Sequence, residues 1–244
     1  MHTKRRDFIL SDYLDMLAYF GVSGAHPGGM ALTKAVLAKA DIDPERPILD
    51  AGCGTGQTAA YLGQLLFSVT ALDSDAVMLD KAKKRFADEG LSIPVVHTQI
   101  EETPFQPDSF GYVLSESVLS FTHLDLSLAE IRRILEPDGK LICIEVTLAD
   151  DSLSKEEKQE ICDFYGFTAL YTKDEWMGVL REGGFSQIEI ISSSLEETDI
   201  DEAVTEMDLS EVIPEKSYQT MEKHQRLLAK YQDSLHPIIF VCGQ

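Results

Sequence analysis

The chain has 244 residues, 44% of them hydrophobic and 26% charged, a composition that supports a substantial core of the size found in single α/β domains of about 200–250 residues and argues against disorder. Its 42 acidic residues outnumber 21 basic ones, for a formal charge of −21, which disfavours nucleic acid and anionic membrane as partners. Cys53, Cys143, Cys162 and Cys242 show no CxxC pairing, no apolar leader follows the basic residues 1–6, and no apolar run approaches the roughly 18 residues of a bilayer span, so a reducing cytoplasm is expected.

Phe8, Ile9, Tyr13, Leu14, Leu17 and Phe20 recur at helical spacing and stop at Gly21, predicting an amphipathic helix over 7–20. A turn-rich stretch follows, and Leu32, Val36 and Leu37 predict a second helix over 30–40; residues 1–40 are expected to form a helical cap. His26-Pro27-Gly28-Gly29 reads equally well as a hinge over a ligand or as a surface turn. From Pro47 onward strands alternate with helices: strands over 47–50, 68–72, 94–98, 110–115 and 140–147, and helices over 58–66, 76–89 and 126–135, the last halted before Pro137-Asp138-Gly139. Such alternation implies right-handed βαβ crossovers and a doubly wound, mostly parallel sheet covered on both faces, with a ligand-binding core over 41–147. A helix over 174–182, a sixth strand over 186–192, a polar and mostly helical region over 196–235 that is clearest at 221–231, and a final strand over 237–242 complete one domain spanning 1–244.

In such a sheet ligands bind beyond the C-terminal ends of the strands, where the first strand turns into its helix. Asp50-Ala51-Gly52-Cys53-Gly54-Thr55-Gly56 occupies that place, and its glycines let a ligand approach bare backbone. A dinucleotide fingerprint requires a third glycine three residues after the second, where this chain has Gln57. An acid before the first glycine suits a ligand with an ammonium group better than a phosphate. Asp73, at the end of the second strand, can accept both hydroxyls of a ribose. Together they describe a nucleoside with a cationic amino-acid tail.

Ile48-Leu49-Asp50-Ala51-Gly52-Cys53-Gly54-Thr55-Gly56 resembles the first motif of the class I S-adenosylmethionine-dependent methyltransferases of the small-molecule type. The likeness extends over nearly the whole chain. Residues 69–79 resemble the ribose-binding second strand and the start of its helix, Thr103-Pro104-Phe105 with Asp108-Ser109-Phe110 the approach to strand four, residues 135–141 the approach to strand five, and residues 175–185 the helix before strand six. The resemblance implies a Rossmann-like seven-stranded sheet whose last strand runs antiparallel beside the sixth. It implies S-adenosylmethionine as cofactor, with Asp50, Gly52, Gly54 and Gly56 at its methionine part, Asp73 at the ribose and Ser74 beside the adenosine. Gln99 stands where many relatives carry an acid at the adenine, followed by Ile100, and Ser115, Glu116 and Ser117 fall at the methyl-transfer point.

The implied reaction is transfer of the methyl to a small-molecule acceptor, with Glu116 and His123 as general-base candidates if the acceptor must lose a proton. Their plainer readings are a strand-end capping residue and a solvated helix start. Phe164, Tyr165, Phe167, Tyr171 and Trp176 read as acceptor pocket or as packed cap, and the acidic run Glu196 to Asp208 as solvated surface. Two other functions remain open: a catalytically silent cofactor-binding or interaction protein on the same fold, and a nucleotide-cofactor oxidoreductase, which Gln57 disfavours.

Overall fold

A computed structural model describes residues 11–191 and 206–244; the start of the first predicted helix, the end of the sixth strand and the acidic run from Glu196 to Glu202 lie outside them. Helix α1 (Asp12–Phe20) starts where the Ser11 hydroxyl accepts the Leu14 N–H and stops at Gly21, whose φ of 59° no helix can continue. After α2 (Gly29–Ala40) come β1 (Ile48–Ala51), α3 (Gln57–Gln64), β2 (Val69–Asp73), α4 (Ala76–Asp88), β3 (Val95–His97) and β4 (Phe110–Glu116). The second half holds α5 (Leu124–Ile134), β5 (Leu135–Leu148), α6 (Lys155–Tyr165), α7 (Lys173–Glu182), β6 (Gln187–Ile191), α8 (Glu215–Tyr231) and β7 (Leu235–Gly243).

The sheet order is β3-β2-β1-β4-β5-β7-β6. Strands β1 to β5 pair in parallel, while β7 runs antiparallel between β5 and β6, as the resemblance implies. The central strands are apolar on both faces because helices cover both. Ile48, Tyr112, Leu114 and Ile142 pack with α2, α3 and α4 on one face; Leu49, Val113, Leu141 and Cys143 pack with α5 and α7 on the other. The order of the strands reverses between β1 and β4, the switch point where a crevice opens. Over that end lies a third cluster, in which Tyr13, Met16 and Leu17 of α1 meet Phe164 and Tyr165 of α6 and Leu227 and Tyr231 of α8.

Three elements depart from the sequence reading. Helix α6 was not expected, although Ser154 and Glu157 form a reciprocal capping box at its start. Strand β5 begins at Leu135, not at Lys140: Phe110 pairs with Leu135 and Tyr112 with Lys140, so the intervening turn-like residues are absorbed in a bulge that spares Pro137 a ladder donor. Arg46 braces the bulge by pairing with Glu136 at 2.5 Å and Asp138 at 2.8 Å. Residues 206–214 are not helical; Val22 and Met207 form an antiparallel bridge, and Asp208 and Ser210 donate backbone N–H groups to Gly21 and Tyr19 of the α1 end.

Candidate functional site

A cavity of about 890 Å³ opens at the C-terminal ends of β1, β2 and β4 beneath α1, α6 and α8, within the range of roughly 300–1,000 Å³ typical of small-molecule sites. Its floor is the turn from β1 into α3. Gly54 has φ 53° and nothing within 4 Å of where a side chain would stand, so it offers bare backbone to the cavity. Gly56, with φ 78°, is different: a Cβ there would strike Phe86 and Ala82 of α4, and the residue does not line the cavity. This glycine lets α3 pack closely on α4, and of the motif's glycines Gly52 and Gly54 face the cavity instead. Gly52 lines the cavity, with Val118 packed where its Cβ would be.

Two acids flank this turn. Asp50 is 2% exposed, and its Oδ2 has no hydrogen-bond partner. Burial pushes its carboxyl well above the usual range, nearby Glu116 and Asp73 add to the rise, and the Ala59 N–H opposes it. Asp73 ends β2; its Oδ2 accepts the Gly54 N–H at 2.8 Å and its Oδ1 the Asp75 N–H at 2.9 Å, so one carboxylate ties the glycine turn to the second strand. Burial raises its pKa too, against the pull of those N–H groups. Ser74, Gln99 and Ile100 continue the wall on this side.

Beyond β4 the wall consists of Glu116, Ser117 and Val118. The Glu116 carboxylate accepts the Thr33 hydroxyl of α2 at 2.5 Å and the Thr58 hydroxyl of α3 at 2.6 Å, and His26 Nε2 stands 3.6 Å away. Each of its oxygens thus accepts one hydroxyl, and the carboxylate joins two helices at the cavity wall. His26 is 7% exposed and lines the cavity, which decides against a surface turn. Ser115 lies outside the wall because strand residues alternate: it shares the face of Val113, on the α5 side. His123 also lies outside; it is the exposed N-cap of α5, with its backbone N–H held by Glu101 at 3.1 Å.

Several groups at the site were not singled out from sequence. Thr33 and Thr58 are separated from Glu116 by 83 and 58 residues, and nothing local announces them. Glu145, in the middle of the apolar strand β5, is fully buried. It accepts the N–H groups of Val118, Leu119 and Ser120 and the Ser120 hydroxyl, fixing the turn whose Val118, Phe121 and Thr122 line the cavity; its signal was a charge where the pattern wanted an apolar residue. Of the aromatic group, Tyr165 and Phe167 reach the cavity. Trp176 is core, 1% exposed, with its indole N–H on the Val146 carbonyl.

Residues 49–143 match the family model described as a methyltransferase domain. Over 232 residues the chain is 52% identical to the uncharacterized methyltransferase YodH of Bacillus subtilis, covering 95% of this chain and 99% of that protein. It is 31% identical over 146 residues to the ubiquinone/menaquinone biosynthesis C-methyltransferase UbiE of Paraburkholderia xenovorans, 58% of this chain and 56% of that one. Phosphoethanolamine N-methyltransferase 2 of Haemonchus contortus, solved with S-adenosyl-L-methionine, shares the fold at a TM-score of 0.72 and 19% identity, covering 96% of this chain and 56% of that one. This chain thus spans little more than half the length of that protein.

Proposed function

This chain belongs to the class I S-adenosylmethionine-dependent methyltransferases, and from that premise we propose that it transfers the methyl group to a small-molecule acceptor held in the cavity above β1, β2 and β4. The observation that carries the assignment of the site is the buried, unpartnered Oδ2 of Asp50 beside the bare backbone of Gly54. A carboxylate oxygen so placed fits an ammonium group, and an uncovered glycine fits a ligand lying against the chain. In this reading Asp50, Gly52 and Gly54 hold the methionine part, Asp73 the ribose hydroxyls, and Ser74, Gln99 and Ile100 the adenosine. When bound, the cofactor supplies a methyl group on a positively charged sulfur, activated for in-line displacement. The chain's own contribution is orientation and exclusion of water, and well-placed reactants gain on the order of 7–11 kcal/mol from it. Glu116 belongs to the wall that positions α2 and α3.

The unit proposed for this activity is one domain over 1–244, supported by the cluster that joins α1, α6 and α8 across the cavity. A cytoplasmic location goes with it, since all four cysteines are free thiols; among the described residues no helix is long and apolar enough to cross a membrane.

Asp50 supplies a test of the cofactor end. Its raised pKa favours the protonated carboxyl in the free protein, and a cationic partner favours the ionised form. Cofactor binding is therefore expected to release protons and to tighten as pH rises. Calorimetry in buffers of different ionisation enthalpy reads that release; identical heats in all of them would remove Asp50 from the ammonium site. Transfer itself is tested by incubating the protein with methyl-labelled cofactor and a Bacillus subtilis extract, followed by mass spectrometry. A labelled small molecule is expected, whereas intact cofactor binding with no labelled product would leave only the silent binder.

A further inference from the structure

The two ends of the cavity differ in chemistry. Every acid in its described wall sits at the cofactor end, and those not assigned to the cofactor are committed: Asp75 caps α4 through the Val77 and Met78 N–H groups, Glu101 holds the start of α5, and Glu116 is clamped by two threonines. The opposite end is formed by Tyr13, Leu17, Phe121, Phe167, Met221 and Leu228. Its polar side chains are Gln225 of α8 and the pair in which the Tyr165 hydroxyl meets His224 Nδ1 at 3.2 Å. Tyr13 packs edge-on against Tyr165 at 4.8 Å and tilted against the His224 ring at 5.2 Å.

Among the described residues no Lys or Arg lines this cavity; outside them residues 192–205 contain neither, and residues 1–10, which precede α1, carry Lys4, Arg5 and Arg6. The nearby lysines of α8 are turned to other partners, Lys223 over the Phe164 ring and Lys230 to Glu160. An anionic group brought here would lose its hydration against aromatic and aliphatic walls, with no cation among the described lining residues to meet it, in a chain of net charge −21. A hydroxyl needs only one hydrogen bond. Burial raises the Tyr165 hydroxyl to about 12 and lowers the His224 ring below its ordinary value, so both members of the pair are neutral near pH 7. The titratable groups facing His224 are Tyr13 from α1 and Tyr165 from α6.

The geometry points to an acceptor class: an uncharged molecule with an aromatic or branched apolar body and a hydroxyl group, in preference to its phosphorylated counterpart, the body between α1, α6 and α8 and the hydroxyl on the Tyr165–His224 pair. This inference rests on the methyltransferase reading of the same cavity.

The test uses the whole protein saturated with S-adenosylhomocysteine, titrated in a calorimeter with 2-naphthol and 4-butylphenol, each against its own phosphate monoester. Each phenol is expected to bind at least tenfold more tightly than its ester, and Tyr165→Phe to weaken the phenols about fivefold. Leu228→Arg, at a half-exposed position one turn beyond His224, is expected to strengthen ester binding at least tenfold without burdening the fold. Esters that bind as tightly as the phenols, phenols that fail to bind, or a Leu228→Arg variant whose ester affinity is unchanged would each overturn the inference. Failure to bind S-adenosylhomocysteine sinks the methyltransferase reading instead, so the two failures are distinct.

Discussion

Asp73→Ala is expected to lower cofactor affinity on the order of a hundredfold, about 3 kcal/mol. The substitution removes the proposed acceptor of the ribose hydroxyls, and a hydrogen bond to a charged group contributes roughly 1.5–3 kcal/mol. It also frees the Gly54 N–H that Asp73 Oδ2 now holds at 2.8 Å, loosening the turn that faces the cofactor. Asp73→Asn separates the two contributions: the amide keeps the shape and one acceptor oxygen but loses the charge, and should fall between the parent and Ala. Calorimetric titration measures both variants, with thermal unfolding as a check on the fold. A Kd for Asp73→Ala within twofold of the parent, in a folded protein, would end the assignment of Asp73 to the ribose.

The second large effect concerns Glu145 and pH. Burial pushes its carboxyl up to about 7 from an ordinary 4.5, even though four hydrogen bonds from the 118–120 turn favour the anion. The folded protein thus holds this proton more tightly than the unfolded chain. The resulting stabilisation is complete below about pH 4.5 and is lost as pH rises through about 7. From the size of the shift it amounts to roughly 3 kcal/mol. In Glu145→Gln this dependence is absent, so between pH 5 and pH 8 the parent should lose about 3 kcal/mol of unfolding free energy relative to the variant. Urea denaturation at the two pH values checks this. The general self-repulsion of so acidic a chain is common to both proteins and cancels in the comparison; parallel pH profiles would show that Glu145 does not carry the proton. Because the same carboxyl anchors the turn bearing Val118, Phe121 and Thr122, its ionisation also bears on the cavity wall.

The parts of the site that were legible share a physical origin. Asp50, Gly52, Gly54 and Asp73 line the cavity because of backbone geometry at two consecutive strand ends. The positive φ of Gly54 and the place of an acid at the end of β2 are local consequences of a strand-turn-helix unit. Strand periodicity likewise announced the sheet, and the antiparallel entry of β7 followed from the resemblance. Local reading failed where the deciding partner was distant. Gly56 looked like its neighbours in the motif, yet Phe86 and Ala82 claim it for packing. Ser115 and Glu116 are adjacent in sequence and opposite in space, because a one-residue step along a strand changes face. His123 was a histidine close to the right loop, and capping α5 sent it to solvent.

By itself the amino-acid sequence determined the doubly wound order of strands and helices, the glycine turn after the first strand, and the two acids that flank it, since each depends on spacings of a few residues. Tertiary structure alone decided that Thr33 and Thr58 clamp Glu116, that Glu145 fastens the turn after β4, and that Tyr13, Tyr165 and His224 share one end of the cavity. Those contacts join segments from distant parts of the chain: α2 and α3 bring the threonines to Glu116 by packing on the sheet, and α1, α6 and α8 bring Tyr13, Tyr165 and His224 together by burying their apolar faces against one another.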